Sequence, residues 1–152
     1  MATATRTPAR PYVLVLDVGS SSVRTTFFDL EARSLSISPQ MRRYSWSGEP
    51  PGAMTFDPAA LAGEVELAID AAVERARRER LEIIGVACAA FWHSILGVDH
   101  GGVAVTPILA WGDTRASQIA LELREKVDEE ALHQRIGCFL HPSYPLVKLA
   151  WL

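Results

Sequence analysis

A chain of 152 residues, 49% hydrophobic and 22% charged, has ordinary globular composition with apolar material for one compact core, so one domain is expected. Its 15 basic and 18 acidic residues give a net charge of −3 without any basic block or stripe, which removes the electrostatic case for a nucleic-acid partner. No apolar run is long enough to cross a bilayer, and Cys88 and Cys138, far apart and among apolar neighbours, are expected to be buried free thiols of a cytoplasmic protein.

Residues 1–11 are rich in Thr, Ala, Arg and Pro and are expected to form a disordered tail, with the folded part running over 12–152. Val13 to Leu16 is a continuous apolar run, as in a strand buried on both faces. Gly19-Ser20-Ser21-Ser22 interrupts it. Val23 to Phe28 then alternates, with Val23, Thr25 and Phe27 on one side and Arg24, Thr26 and Phe28 on the other. Two such runs joined by a short Gly-Ser loop predict an antiparallel hairpin. Leu35 to Trp46 offers a weaker third strand. Pro50, Pro51 and Gly52 fix a loop over Gly48 to Phe56.

Asp57-Pro58 opens a helix, Asp as N-cap and Pro in the first turn. Leu61, Val65, Ala68, Ile69, Ala72 and Ala76 recur at helical spacing and should face the sheet, leaving Glu66, Asp70, Glu74, Arg77 and Arg78 in solvent. Leu81 to Ala90, Ser94 to Val98 and Val103 to Leu109 read as strands, the last two joined by a turn at His100-Gly101-Gly102. Helical spacing resumes after Asp113, an N-cap candidate, with Ile119, Leu123 and Val127 on one face. A short helix over Glu129 to Ile136 should end at Gly137 in a left-handed cap. A last helix from Pro145 presents Leu146, Leu149, Ala150 and Trp151, and its apolar end without a capping residue suggests that the chain is part of a longer one. The order is that of a mixed α/β domain whose opening hairpin excludes a Rossmann start.

Four stretches carry candidate chemistry. Asp17 at the end of a strand needs a partner for its charge, and a metal ion with phosphate oxygens would supply one. Gly19 admits a phosphate close to the backbone, Ser20, Ser21 and Ser22 offer amides and hydroxyls, and Arg24 adds positive charge. A β-turn with exposed serines accounts for the same residues. Phe91-Trp92-His93-Ser94 places aromatic and imidazole groups at a strand end, suited to sugar stacking or simply to a core. Trp111-Gly112-Asp113-Thr114-Arg115 forms a corner, and Gly137 to Leu146 is a loop in which His141 and Tyr144 point into a site or merely pack.

Taken in order, these stretches resemble the FGGY carbohydrate kinases. Asp17 to Arg24 is similar to the family's first phosphate motif, Trp111 to Arg115 to its Trp-x-Asp-x-Arg segment, and Lys148 to Leu152 to its Lys-Leu-x-Trp-Leu helix. His93 to Asp99 and Gly137 to Leu146 resemble the gluconate kinases most, although Trp92 replaces a usual Met and Ile136 a common Thr.

The resemblance implies a ribonuclease H-like (actin-like ATPase) N-terminal domain and transfer of the ATP γ-phosphoryl group to a sugar or sugar-acid hydroxyl, most simply of gluconate. Asp17 would hold Mg²⁺ through water, and Gly19, Ser20, Ser21, Ser22 and Arg24 would bind phosphate. Trp92, His93, Trp111, Asp113, Arg115, His141 and Tyr144 would line the acceptor site. No catalytic residue is expected on this chain, because the family's base Asp and its second ATPase lobe come later in sequence, so the chain alone should be inactive. A homo-oligomeric full-length parent is compatible with this reading. The alternatives are a kinase for xylulose, ribulose or glycerol, and an inactive sugar-binding or regulatory module. A chaperone-type ATPase lobe is disfavoured by the His93 and Trp111 clusters.

Overall fold

The computed structural model describes residues 10–35 and 40–152. The expected tail at 1–11 lies outside them except for Arg10 and Pro11, which already belong to strand β1 (Arg10–Val18). The strand starts earlier than expected because Arg10 pairs with Leu81. The chain divides into two compact units. One combines the stretch ending at Tyr44 with Ala62–Ala90, and the other combines Ser45–Leu61 with Phe91–Leu152.

In the first unit β1 and β2 (Ser22–Phe28) form the expected antiparallel hairpin. β3 (Gln40–Arg43) adds to β2 antiparallel, and β5 (Leu81–Ala90) lies parallel to β1, giving the order β3-β2-β1-β5. The expected strand at Leu35 to Trp46 is thus reduced to β3, and residues 36–39 of it fall outside the described ones.

Helix α1 (Pro58–Glu79) begins at Asp57, whose carboxylate accepts from the amides of Ala59 (2.7 Å) and Ala60 (3.2 Å), as an N-cap should. It buries Ala68, Ala72 and Ala76, and Ala72 and Ala76 share a core with Tyr12, Leu14 and Phe27. The small alanines let the helix approach the sheet closely. Ile69, expected inside, is exposed, and Arg75, expected nowhere, is buried with its guanidinium 5.6 Å from the Phe27 ring centre. β1 alternates instead of being buried on both faces, since Tyr12, Leu14 and Leu16 alone are enclosed. Cys88 corrects the sequence expectation likewise: the outer half of β5 is uncovered, so its thiol is exposed, and Cys138 is half-buried, both free.

In the second unit β4 (Thr55–Phe56) pairs antiparallel with β6 (Ile108–Leu109). The strands expected at Ser94 to Val98 and Val103 to Leu109 shrink to bridges at Ile95–Leu109 and Val98–Ala104, closed by the expected glycine turn. Val98, Val103 and Val105 are exposed, so nothing covers this ribbon to extend its pairing.

Helices α2 (Ser117–Lys126), α3 (Glu129–Ile136) and α4 (Pro145–Trp151) complete the unit around Ala116, Ala120, Leu140 and Val147. Ile119 and Leu123 pack there as expected, whereas Val127 lies past the helix end and is exposed. α3 is the most legible element. Asp128 caps its start, accepting from the Ala131 amide at 3.0 Å, and Gly137 ends it at φ 76°. A Cβ at Gly137 would meet nothing within 4 Å, so Gly137→Ala should cost only the left-handed backbone penalty of about 1 kcal/mol. An unchanged denaturation midpoint for that variant would contradict the cap. Among the described residues no helix is long and apolar enough to cross a membrane.

Candidate functional site

The hairpin turn in the first unit sets the register that matters. Asp17 lies opposite Arg24 across the ladder, and their side chains meet, Arg24 Nη2 to Asp17 Oδ2 at 2.7 Å. Between them the Gly19 amide donates to the Ser22 carbonyl at 2.9 Å, which closes the turn. A Cβ on Gly19 would sit 3.4 Å from that carbonyl, 3.5 Å from Arg24 Nη2 and 3.9 Å from Asp17 Oδ1. Glycine therefore keeps open a small space bounded by a cation, a carboxylate and backbone.

Tyr44 braces the turn from β3's end: its amide donates to the Ser21 carbonyl at 3.1 Å and its hydroxyl to the Gly19 carbonyl. Burial, with the Asp17 charge adding to it, holds the Tyr44 hydroxyl above the ordinary tyrosine pKa, so it stays a donor at neutral pH. Ser20 and Ser21 are exposed, but Ser22 is buried at the head of β2, which removes its hydroxyl from the open side of the turn. The ion pair is half exposed, and such pairs contribute about 0–1 kcal/mol, so both partners are available to a ligand at small cost. Among the described residues no three His, Cys, Asp or Glu side chains gather as a metal-binding group. A cation beside Asp17 would need phosphate and water for its other oxygens, which is how Mg²⁺ is usually held.

In the second unit the aromatic candidates converge. The His93 ring stacks on Trp92 at 5.0 Å and lies 4.9 Å from Tyr144, which is 5.7 Å from His141. Ser143 fixes two of the loops, donating from Oγ to the Trp111 carbonyl at 2.6 Å and from its amide to His141 Nδ1 at 3.1 Å. Trp92 and Trp111 are 78% and 51% exposed, so each keeps open aromatic surface even with His93 stacked on Trp92. His93 and Tyr144 also line an apolar groove of about 320 Å³, together with Ile136, Cys138 and Phe139 among others. His93 adopts φ 58°, a left-handed conformation that costs a non-glycine residue about 1–3 kcal/mol and persists only where neighbours enforce it.

Asp113 and Arg115 are employed differently from the expectation. Asp113 does not cap α2, whose start has Ala116 at the N-cap position. Its carboxylate is 4% exposed and accepts from the Met54 amide at 3.1 Å, the Arg115 amide at 3.1 Å and the Arg115 guanidinium at 2.6 Å. Arg115 in turn lies 4.7 Å from the Trp151 ring centre. Burial works to raise the Asp113 pKa, but the Arg115 side chain and the two backbone amides outweigh it and hold the carboxyl below its ordinary value. Both groups thereby brace the corner that carries Trp111, with the Asp113 carboxylate buried and the Arg115 side chain 20% exposed.

The family model described as the N-terminal domain of the FGGY family of carbohydrate kinases matches residues 12–152. The chain belongs to that family. Autoinducer-2 kinase of Klebsiella pneumoniae subsp. pneumoniae is 33% identical over 147 residues, covering 93% of this chain and 27% of the relative. Gluconokinase of Bacillus subtilis is 32% identical over only 60 residues, 40% of this chain and 12% of that one. The crystal structure of Plasmodium falciparum glycerol kinase with ADP superposes with a TM-score of 0.88 at 15% identity, over 97% of this chain and 29% of that one. The fold is that of the FGGY sugar kinases, as the hairpin-led mixed sheet indicated.

Seen as an FGGY domain, the chain holds one well-placed residue to which the sequence reading gave no role. Leu146 and Leu149 of α4 are exposed, whereas Val147 and Lys148 are buried, Lys148 to 1% exposure. Its Nζ donates to the His93 and Ala110 carbonyls at 2.6 Å each, with the Leu109 carbonyl at 3.5 Å. Burial lowers its pKa, and the Asp113 charge partly restores it. A lysine inside an otherwise apolar helix is a sequence signal, but carbonyl partners have no side-chain signature to find them by.

Proposed function

We propose that this chain is part of an ATP-dependent sugar kinase that moves the γ-phosphoryl group to a hydroxyl of a sugar or sugar acid, with gluconate as the first-choice acceptor. The observation that carries the reading is the Asp17–Arg24 pair flanking the open glycine turn, in a chain of the FGGY family. Residues 12–152 would then be a partial N-terminal domain, with the second ATPase lobe outside them. In this reading Gly19, Ser20, Ser21 and Arg24 bind phosphate of ATP, and Asp17 orients the water shell of Mg²⁺, whose role is to neutralise charge on the phosphates. Such transfer depends on positioning and charge neutralisation, so a chain can contribute to it without supplying the base. We assign no general base to these residues. Trp92, His93, Trp111, His141 and Tyr144 line the acceptor side, while Asp113 and Arg115 hold Trp111 in place. The partners are small molecules, in the cytoplasm, where the two free thiols stay reduced.

Gluconate is supported by His93-Ser94 and the Gly137 to Leu146 loop. A second acceptor, autoinducer-2, is favoured by the far fuller coverage of the autoinducer-2 kinase match. The test is the thermal stability of the purified chain with Mg-ATP, gluconate, autoinducer-2, glycerol and xylulose, each alone. A ligand held by the native state at a hundredfold excess over its dissociation constant adds about 2.7 kcal/mol. A midpoint shift with gluconate supports the first reading, and one with autoinducer-2 alone replaces it by the second. A shift with Mg-ATP that survives Asp17→Asn and Arg24→Gln would remove the phosphate assignment.

A further inference from the structure

We infer that Lys148 is a positioning residue for His93: its buried ammonium fixes the His93 carbonyl, and through it the left-handed backbone that turns the imidazole between Trp92 and Tyr144.

Three observations meet here. Lys148 is 1% exposed, yet among the described residues its Nζ finds no carboxylate within ion-pairing distance; its partners are the carbonyls of His93 and Ala110, with that of Leu109 farther off. A buried ammonium is costly, and three carbonyl oxygens match its three donors, so this arrangement resists other geometries. His93, at φ 58°, is the residue in this corner whose backbone needs outside enforcement, and its carbonyl makes one of the two short contacts. Its ring is stacked on Trp92 and tilted against Tyr144, so a change in the backbone at His93 moves a wall of the groove. Tyr144 also precedes the first turn of α4, where its carbonyl accepts from the Lys148 amide at 3.1 Å. Lys148 thus touches both sides of the groove, through the His93 carbonyl from its side chain and through Tyr144 from its backbone. It need not touch a ligand to control one. The consequence for acceptor affinity rests on the reading of the groove as the acceptor site; the conformational claim does not.

The experiment is NMR of the imidazole resonances of the full chain, whose four histidines are separated by assigning His93 through its loss in His93→Gln. In Lys148→Met, His93 should lose the ring-current displacement of its neighbours and move toward the position of an exposed imidazole, with His100 and His133 unmoved. Lys126→Met, on an exposed lysine of α2, should move none of them. His93 resonances unchanged in folded Lys148→Met would overturn the inference and leave Lys148 a stabilising residue only. If that variant does not fold, Lys148→Arg keeps a buried cation but its planar fork cannot point one nitrogen at the same carbonyls. Its His93 resonances should shift, and identity with the parent spectrum would overturn the inference equally. Midpoints with gluconate and autoinducer-2 are read in parallel. A displaced His93 in a chain that binds neither ligand retires the acceptor-site reading and leaves the positioning intact.

Discussion

Phe27→Ala is expected to destabilise the chain by about 4 kcal/mol, read as a lower denaturant midpoint at an unchanged slope. Phe27 is 1% exposed at the centre of the first unit's core, edge-on to Tyr12 with ring centres 6.3 Å apart. Truncation removes the transfer free energy of the ring and leaves a cavity between Ala72 and Ala76, which are too small to refill it. It also strips Arg75 of the ring beneath its guanidinium. That group is buried, bonds Glu79 at 3.0 Å, and has one terminal nitrogen without a hydrogen-bond partner among the described residues. The loss should therefore lie toward the upper end for such changes. A cost below about 1.5 kcal/mol, the size of a mild core swap, would mean that the sheet and α1 close over the gap.

Asp113→Asn should cost about 3 kcal/mol at neutral pH, the size of losing one partner of a buried ion pair. Asparagine keeps the shape and an acceptor for the Met54 amide, but leaves the Arg115 guanidinium without its counter-charge. The pH dependence has a definite sign. Asp113 has a folded pKa below the ordinary 3.8, so its stabilisation is present above that value and is lost as pH falls through the lower folded pKa. The gap between parent and variant should accordingly be constant from neutral pH down to about 5 and close below about 4. A gap that stays open in acid would show that shape, and not charge, holds the corner.

Both predictions concern residues whose environment was legible to different degrees. Phe27 announced itself, because Val23, Thr25 and Phe27 alternate with Arg24, Thr26 and Phe28, and a period of two sends one set inward. Gly137 and Asp57 were equally legible, since capping is local chemistry among neighbours in sequence. Asp113 was not. It stands just before a helix like an N-cap, but its carboxylate is taken by the Arg115 guanidinium and by the Met54 amide 59 positions away. The partners of Lys148 were illegible for a related reason, as backbone carbonyls look alike in every sequence. Arg75 lay on a helix stripe read by hydrophobicity, and the guanidinium lying over the Phe27 ring is invisible to that scale. Among the candidate residues the sequence could not tell exposure: Trp92 and Trp111 are exposed, whereas Ser22 and Asp113 are buried, Asp113 in an ion pair with Arg115.

The second unit is assembled from two stretches that synthesis delivers apart. Thr55 and Phe56 leave the ribosome long before Ile108 and Leu109, their ladder partners, and Met54 precedes Asp113 by 59 residues. At about 5–20 residues per second, that separation is roughly 3–12 s of translation. Throughout it β4 can bridge only to Ser47 and waits for β6, while the hairpin of β1 and β2, only a few residues across, can close in microseconds. The hairpin that carries the Gly19 turn is thus free to form early in the chain's life, and the corner that carries Trp111 must come late.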